Sequence, residues 1–167
     1  RDYYKTKEST SHNRLFIVFG ILGALLKGLG VILILAHNWD EFSRTVKTGF
    51  AFLPLIIGQV LCVYILFKKS AAVAWRESGA VFLFFAVGAS ISLVAQIYNI
   101  PGNLSAFLFT WMLLGLPLVY SMKSSAASLL YIIGISYYAA EIGYWSYPSV
   151  ETHLYWLLLL LILPHYY

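Results

Sequence analysis

Five uninterrupted apolar segments constrain the fold of this chain more than any other feature. They occupy residues 15–36, 50–67, 79–98, 104–122 and 126–145. Each has about 18 to 22 residues, the length that an α-helix needs to cross the hydrocarbon core of a bilayer. Because lipid offers no partners to backbone N–H and C=O groups, such segments must be helical. The sequence therefore predicts an all-α, polytopic transmembrane helical bundle.

The composition excludes the other broad classes of protein. Only 11% of the 167 residues are charged and 60% are hydrophobic, whereas a soluble domain has roughly 25% charged residues. So few charges cannot coat a soluble domain, and they do not suit a disordered chain or a nucleic-acid-binding module. The single cysteine, Cys62, excludes an intramolecular disulfide. We therefore expect the lipid bilayer to be the main partner, and no nucleic acid.

The last apolar segment, 153–167, is too short to span. Ten apolar residues precede Pro164, which is about 15 Å of helix against a hydrocarbon core of about 30 Å. We therefore expect five complete spans plus a truncated sixth, in the N-terminal part of a longer membrane protein. The predicted domains are a basic cytoplasmic segment at 1–14 and a transmembrane helical domain at 15–167.

The distribution of Lys and Arg predicts the orientation of the spans, because basic residues accumulate on the cytoplasmic side. One side of the predicted bundle carries eight: Arg1, Lys5, Lys7, Arg14, Lys68, Lys69, Arg76 and Lys123. The other side carries two, Arg44 and Lys47. We therefore expect a cytoplasmic N-terminus and outward-facing loops at 37–49, 99–103 and 146–152.

Two ionisable residues, Lys27 and Glu141, lie inside predicted spans. Charged groups at membrane depth are costly and are candidates for a functional role. Both lie roughly 18 to 22 Å from the cytoplasmic end of their span, so we predict an intramembrane ion pair. The alternative is that Lys27 extends toward one interface and Glu141 reaches the outer one.

Uncharged polar residues are the next candidates. Gln59, Ser92, Gln96 and Asn99 lie within or at the outer end of the second and third spans. We predict that they line an outward-facing polar pocket. The alternative is that Gln59, Ser92 and Gln96 form interhelical hydrogen bonds that only fix the packing.

Polar and aromatic segments also converge on the predicted outer face, at 37–42, 96–103 and 144–153. The candidate outer-face motifs contain Asn38, Trp39, Asp40, Tyr98, Pro101 and Gly102. Acids and histidines on this face suggest a metal site, but their spacing matches no metal signature. Aromatic residues at this level are typical of the interfacial belt of membrane proteins. We therefore expect no metal and no other cofactor.

Enzyme chemistry has no support in the sequence. It contains no HExxH, no GxSxG and no phosphate-binding loop. Ser90 and Ser92 lie within a span, but no histidine lies inside a span to activate a serine nucleophile. We therefore expect a protein that is not an enzyme.

Two landmarks give the chain a family resemblance. The first is a glycine-rich first span that runs into Ala36, His37, Asn38 and Trp39; the second is the sequence QIYNIPG at 96–102, followed by a span that contains Trp111. With these two landmarks, residues 14 to 130 resemble a bacterial integral membrane family that is called domain of unknown function 2157. Lys27 departs from the family's first span. The resemblance implies a multi-pass protein of the bacterial cytoplasmic (inner) membrane and carries no mechanism.

Two functions are compatible with these features. The first is an inner-membrane protein that binds or translocates a small solute or ion through the outward-facing polar pocket. The alternative is a non-catalytic structural or scaffold subunit of a membrane or envelope complex, whose polar residues fix the register of the helices.

Overall fold

The computed structural model describes residues 19–20, 22–23, 26, 29–30, 33–34, 37–145 and 151–166. Within these residues every regular element is a helix. The chain divides into two compact units, Arg1–Ser43 and Arg44–Tyr167.

The first unit contains the first predicted span. Wherever the structure describes it between Phe19 and His37, the backbone is helical. Both the backbone N–H and the side-chain amide of Asn38 donate hydrogen bonds to the Ile34 carbonyl, at 3.2 and 2.9 Å. A short 3₁₀ helix follows at Trp39–Glu41. The Asn-Trp landmark therefore ends one helix and begins a tight turn.

The second unit has five α-helices within residues 44–145 and 151–166. They are α1 (Arg44–Lys68), α2 (Val73–Ile97), α3 (Leu104–Met122), α4 (Ser125–Trp145) and α5 (Thr152–Ile162), with a 3₁₀ turn at Leu163–Tyr166. Helices α1 to α4 correspond to the second to fifth predicted spans, and each is long and apolar enough to cross a membrane. Helix α5 is shorter than a span. Four of the five predicted complete spans are thus present as helices, and much of the first lies outside the described residues.

Helices α1 and α2 begin earlier than their apolar segments, at Arg44 and Val73 rather than at 50 and 79. Hydropathy marks the part of a helix that lies in hydrocarbon, and the helix can continue beyond it with polar residues. At 25 residues each, these helices are about 37 Å long, whereas the hydrocarbon core is about 30 Å thick. If they span a bilayer, their ends reach the headgroup level.

Successive helices pack against each other along the chain, and α2 also packs against α4. Helix α1 packs mainly against α2. The buried core between α2, α3, α4 and α5 includes Phe84, Met112, Tyr131, Ile135, Tyr138 and Leu158. Large side chains from facing helices therefore fill the interior of this unit.

The interface between α2 and α3 is built from two aromatic rings that pack against two glycines. A Cβ atom on Gly88 would lie 2.5 Å from the Trp111 ring, and one on Gly115 would lie 2.9 Å from the Phe84 ring. The Trp111 indole N–H donates to the Phe84 carbonyl at 2.8 Å. Residue 88 stands one turn beyond that carbonyl, so the absence of a side chain there lets the indole approach.

Candidate functional site

A groove of about 520 Å³ lies between α1, α2 and α3. Its lining is almost entirely apolar. The lining residues are Phe52, Leu55 and Gln59 of α1, Val87, Ser90, Ile91, Val94 and Ala95 of α2, Leu114 of α3, and Ile100 from the turn after α2. Because all three helices are candidate membrane spans, we expect the groove to lie at membrane depth.

The turn after α2 contributes Ile100 to the lining of this groove. Asn99 has a left-handed backbone, with φ of 50°. Its N–H donates to the Gln96 carbonyl at 3.3 Å, and the Ile100 N–H donates to the Ala95 carbonyl at 2.9 Å. These two bonds form a Schellman motif, which returns the chain onto the last turn of the helix. Ile100 is thereby placed beside Ala95 at the groove.

The rest of the same loop begins the next helix. Pro101 follows the Schellman motif, where it cannot continue α2. The Asn103 side-chain oxygen accepts from the Ala106 N–H at 2.8 Å and from the Ser105 hydroxyl at 3.0 Å, so it caps α3. The Tyr98 and Thr48 hydroxyls share a hydrogen bond of 3.1 Å, which ties the loop to α1. The second landmark therefore acts as a joint between two helices.

Two polar side chains line the groove, and they differ in their hydrogen bonds. The Ser90 hydroxyl donates to the Ala51 carbonyl at 2.7 Å, so it joins α2 to α1 and is buried. The Gln59 amide is exposed, and within the described residues it has no hydrogen-bond partner. Gln59 is therefore the polar group that the groove offers to another molecule.

Of the four residues predicted to line a polar pocket, only Gln59 lies in this groove. Ser92 and Gln96 are exposed on α2 outside the lining, and Asn99 is exposed in the turn. Within the part of the chain that the structure describes, no interhelical hydrogen bond involves Gln59, Ser92 or Gln96. The structure does not bring the four residues together.

Only one residue of the predicted intramembrane pair lies within the described residues. Glu141 lies on α4, where it is half-buried. Lys27 lies outside the described residues. The pair therefore stays a prediction.

The predicted outer-face motifs fall in both units. Asn38, Trp39 and Asp40 belong to the first unit, where Asp40 is exposed. Tyr98, Pro101 and Gly102 belong to the second and form the exposed joint between α2 and α3. Among the described residues, no group of three His, Cys, Asp or Glu side chains is placed to hold a metal ion.

Sequence reasoning missed a polar cluster at the other end of the second unit. The Glu77 carboxylate on α2 accepts hydrogen bonds from the Ser124 hydroxyl and from the N–H groups of Ser125 and Ala126, the last two at 3.0 and 2.9 Å. An acid of one helix thus caps the N-terminus of another. Two signals were present: serines directly before an apolar segment are typical of a helix start, and Glu77 is the one acid in an otherwise basic stretch, 68–78.

Comparison with known proteins gives a family and no characterised relative. No curated protein and no solved structure matches the chain. The model of one family, described as Predicted membrane protein (DUF2157), matches residues 1–128. That range includes both landmarks, the groove and the Trp111 interface, and the apolar helices α1 to α4 agree with a multi-pass membrane protein. The chain therefore belongs to the DUF2157 family of predicted membrane proteins.

Proposed function

We propose that this protein is a non-catalytic inner-membrane protein that binds a small amphipathic molecule in the groove between α1, α2 and α3. The observation that carries the proposal is the Gln59 amide, which is exposed in the groove and has no hydrogen-bond partner among the described residues. A polar group at membrane depth is stabilised when it finds a partner. A bound molecule with a carbonyl, hydroxyl or amide group would supply one.

The lining of the groove defines the chemistry of the ligand. An ion or a sugar-like solute needs several polar partners along its path. Here the Ser90 hydroxyl already donates to a backbone carbonyl, and the other lining side chains besides Gln59 are apolar. The groove therefore favours a long apolar body with one hydrogen-bonding group, and it favours binding over the translocation of an ion.

The same proposal includes an orientation. The eight basic residues on one side of the predicted bundle, against two on the other, support a cytoplasmic N-terminus. The turn at Asn99 would then face outward, and the groove would occupy the outer half of the membrane. Labelling of single cysteines introduced at Gly102 and at Ser70, with a reagent that does not cross membranes, tests this orientation.

The ligand-binding experiment uses purified protein in detergent with decanamide and decane as probes. We expect decanamide to raise the melting temperature and decane to have a much smaller effect. Gln59→Leu preserves the size of the side chain but removes its donor and acceptor, and one neutral hydrogen bond contributes about 1 kcal/mol. The variant should therefore weaken decanamide binding about five-fold. Gln96→Leu, which makes the same change outside the groove, should leave binding unchanged.

Two results would contradict the binding proposal. One is an equal response of the original protein to decane and decanamide. The other is an equal loss of binding in Gln59→Leu and Gln96→Leu, because that loss could not come from the groove.

One observation favours the alternative, a structural or scaffold subunit. Helix α1 has a stripe of exposed apolar side chains. They recur every three or four residues, which places them on one face of the helix, where a partner helix could pack. The stripe contains Phe52, Ile56, Val60, Val63 and Phe67. A scaffold should co-purify with another membrane or envelope protein in mild detergent. Val60→Trp should then disrupt the complex, whereas Leu129→Trp, at an exposed position of α4, should not.

A further inference from the structure

One end of the second unit gathers basic residues from two loops. Lys68 is the last residue of α1 and Lys69 follows it, Arg76 lies in the first turn of α2, and Lys123 is the C-cap of α3. The hydrogen bonds from Ser124, Ser125 and Ala126 to Glu77 hold the start of α4 against the start of α2. The α1–α2 and α3–α4 loops therefore lie side by side. We call the surface formed by Lys68, Lys69, Arg76 and Lys123 the basic end.

Among the described residues of the α1–α2 and α3–α4 loops and the adjoining helix ends, Glu77 is the one acid, and it is already engaged. Both oxygens of the Glu77 carboxylate accept hydrogen bonds from the first residues of α4. Lys68, Lys69 and Lys123 are exposed and Arg76 is half-buried. Glu77 interacts electrostatically with Arg76, but it cannot balance four cations. The basic end thus presents an excess of positive charge.

The guanidinium group of half-buried Arg76 contributes hydrogen-bond donors to this surface. Its Nε atom is buried and has no hydrogen-bond partner within the described residues. An unpaired buried donor is unfavourable. A guanidinium group binds phosphate through parallel N–H bonds, so a phosphate group is a suitable partner.

The basic end is expected at the level of the lipid headgroups, which indicates that the phosphate belongs to a lipid. Helices α1 and α2 are about 7 Å longer than the hydrocarbon core is thick, so their ends reach the headgroup level. Trp75, which is 48% exposed on the first turn of α2, is a residue type enriched at this level. A surface pocket of about 320 Å³ lies on the same turns, lined by Ala74, Trp75 and Ser78.

We propose that the basic end binds the phosphate headgroup of anionic phospholipids, with Arg76 as the central ligand and Lys68, Lys69 and Lys123 around it. This site is separate from the groove and does not depend on the function proposed for it. It adds a lipid preference to the protein: phosphatidylglycerol-type lipids should be retained in preference to zwitterionic ones.

The test uses the intact chain in nanodiscs of phosphatidylcholine with a minor fraction of phosphatidylglycerol. The lipids that each chain retains after extraction into detergent are counted by native mass spectrometry. We expect phosphatidylglycerol to be enriched. One basic residue near a membrane surface changes binding about five-fold, so Arg76→Gln should lower retention by about that factor. The Lys68→Gln/Lys69→Gln double variant should lower it further.

The controls separate this site from general charge effects. Arg44→Gln removes a cation from the opposite end of α1 and should leave retention unchanged. The double lysine variant changes only exposed residues at a helix end, so it keeps the proposal testable if Arg76→Gln does not fold. Equal retention of both lipids, or equal losses in Arg44→Gln and the basic-end variants, would overturn the proposal. Displacement of the lipid by inorganic phosphate at the same concentration would also overturn it, because the site would then be one for a free anion.

Discussion

At the scale of single residues, two positions determine how α2 ends and how closely it packs against α3. Asn99 has a positive φ, which most side chains adopt only at a cost. Asn and Gly are the residues that end helices in this way. Gly88 leaves room for the indole ring that joins α2 to α3. Both residue types are therefore required by local backbone and packing geometry.

Asn99→Ala should lower the free energy of unfolding by about 1 kcal/mol, because alanine is disfavoured in the left-handed region. Asn99→Gly should leave it nearly unchanged, because glycine adopts this region freely. Reversible unfolding in mixed detergent measures both variants. If the glycine variant were as unstable as the alanine variant, the Asn99 side chain would have a role beyond the helix end.

Gly88→Ala should lower the free energy of unfolding by about 1 to 3 kcal/mol, because the added methyl group would overlap the Trp111 ring. The matched control is Gly49→Ala in α1, where an added Cβ has no neighbouring atom within 4 Å. There we expect no loss, and a gain of up to about 1 kcal/mol from helix propensity. Equal effects in the same unfolding assay would contradict the packing described at Gly88.

At the scale of the elements, Glu77 couples two helices that are distant in sequence. The first turn of any helix has N–H groups without partners in the helix. In α4 the N–H groups of Ser125 and Ala126 donate to the Glu77 carboxylate. A negative charge at this position is also favoured by the helix dipole. The start of α4 should therefore depend on a residue of α2.

Glu77→Gln removes the charge and weakens the bonds to α4, and hydrogen bonds to a charged group contribute about 2 kcal/mol each. We expect the amide hydrogens of Ser125 and Ala126 to exchange at least about ten-fold faster. Glu141→Gln makes the same chemical change near the far end of α4 and is the control. If these two amides exchanged at the same rate in Glu77→Gln as in the original protein, the Glu77 cap would not be what holds the start of α4.

The existence of the helices and most of their ends could be predicted from the sequence, but the starts of α1 and α2 could not. Apolar length alone predicted the segments that become α1 to α4. The starts of α1 and α2 were placed too late because Arg44 and Trp75 lie in polar or mixed sequence that still forms helix. The starts of α3 and α4 were placed correctly or within one residue, because a polar residue directly precedes or begins each apolar segment.

At the scale of the whole molecule, the site depends on how the helices are rotated, which hydropathy does not record. Ser90 and Ser92 are the same residue type two positions apart, so they point about 200° apart around α2. Ser90 is buried and bonds to α1, whereas Ser92 is exposed. From the sequence, Ser92 was predicted to line the polar pocket, and Ser90 was not. Only the packing of α1 against α2 distinguishes the two.

The groove likewise arises from three helices and one turn. Gln59 was predicted as part of a site because an amide inside a span is unusual. Its apolar neighbours Leu55, Val94 and Leu114 come from separate helices, and each alone is typical of any membrane span. The sequence therefore indicated one polar residue of the groove, Gln59, but neither Ser90 nor the apolar walls.

The most direct measurement is a cryo-electron microscopy map of the intact chain in lipid, inspected at the groove. We predict an elongated density that is not protein between α1, α2 and α3, with a polar atom about 3 Å from the Gln59 amide. A groove filled by the chain's own side chains, with the Gln59 amide bonded to one of them, would contradict the binding proposal.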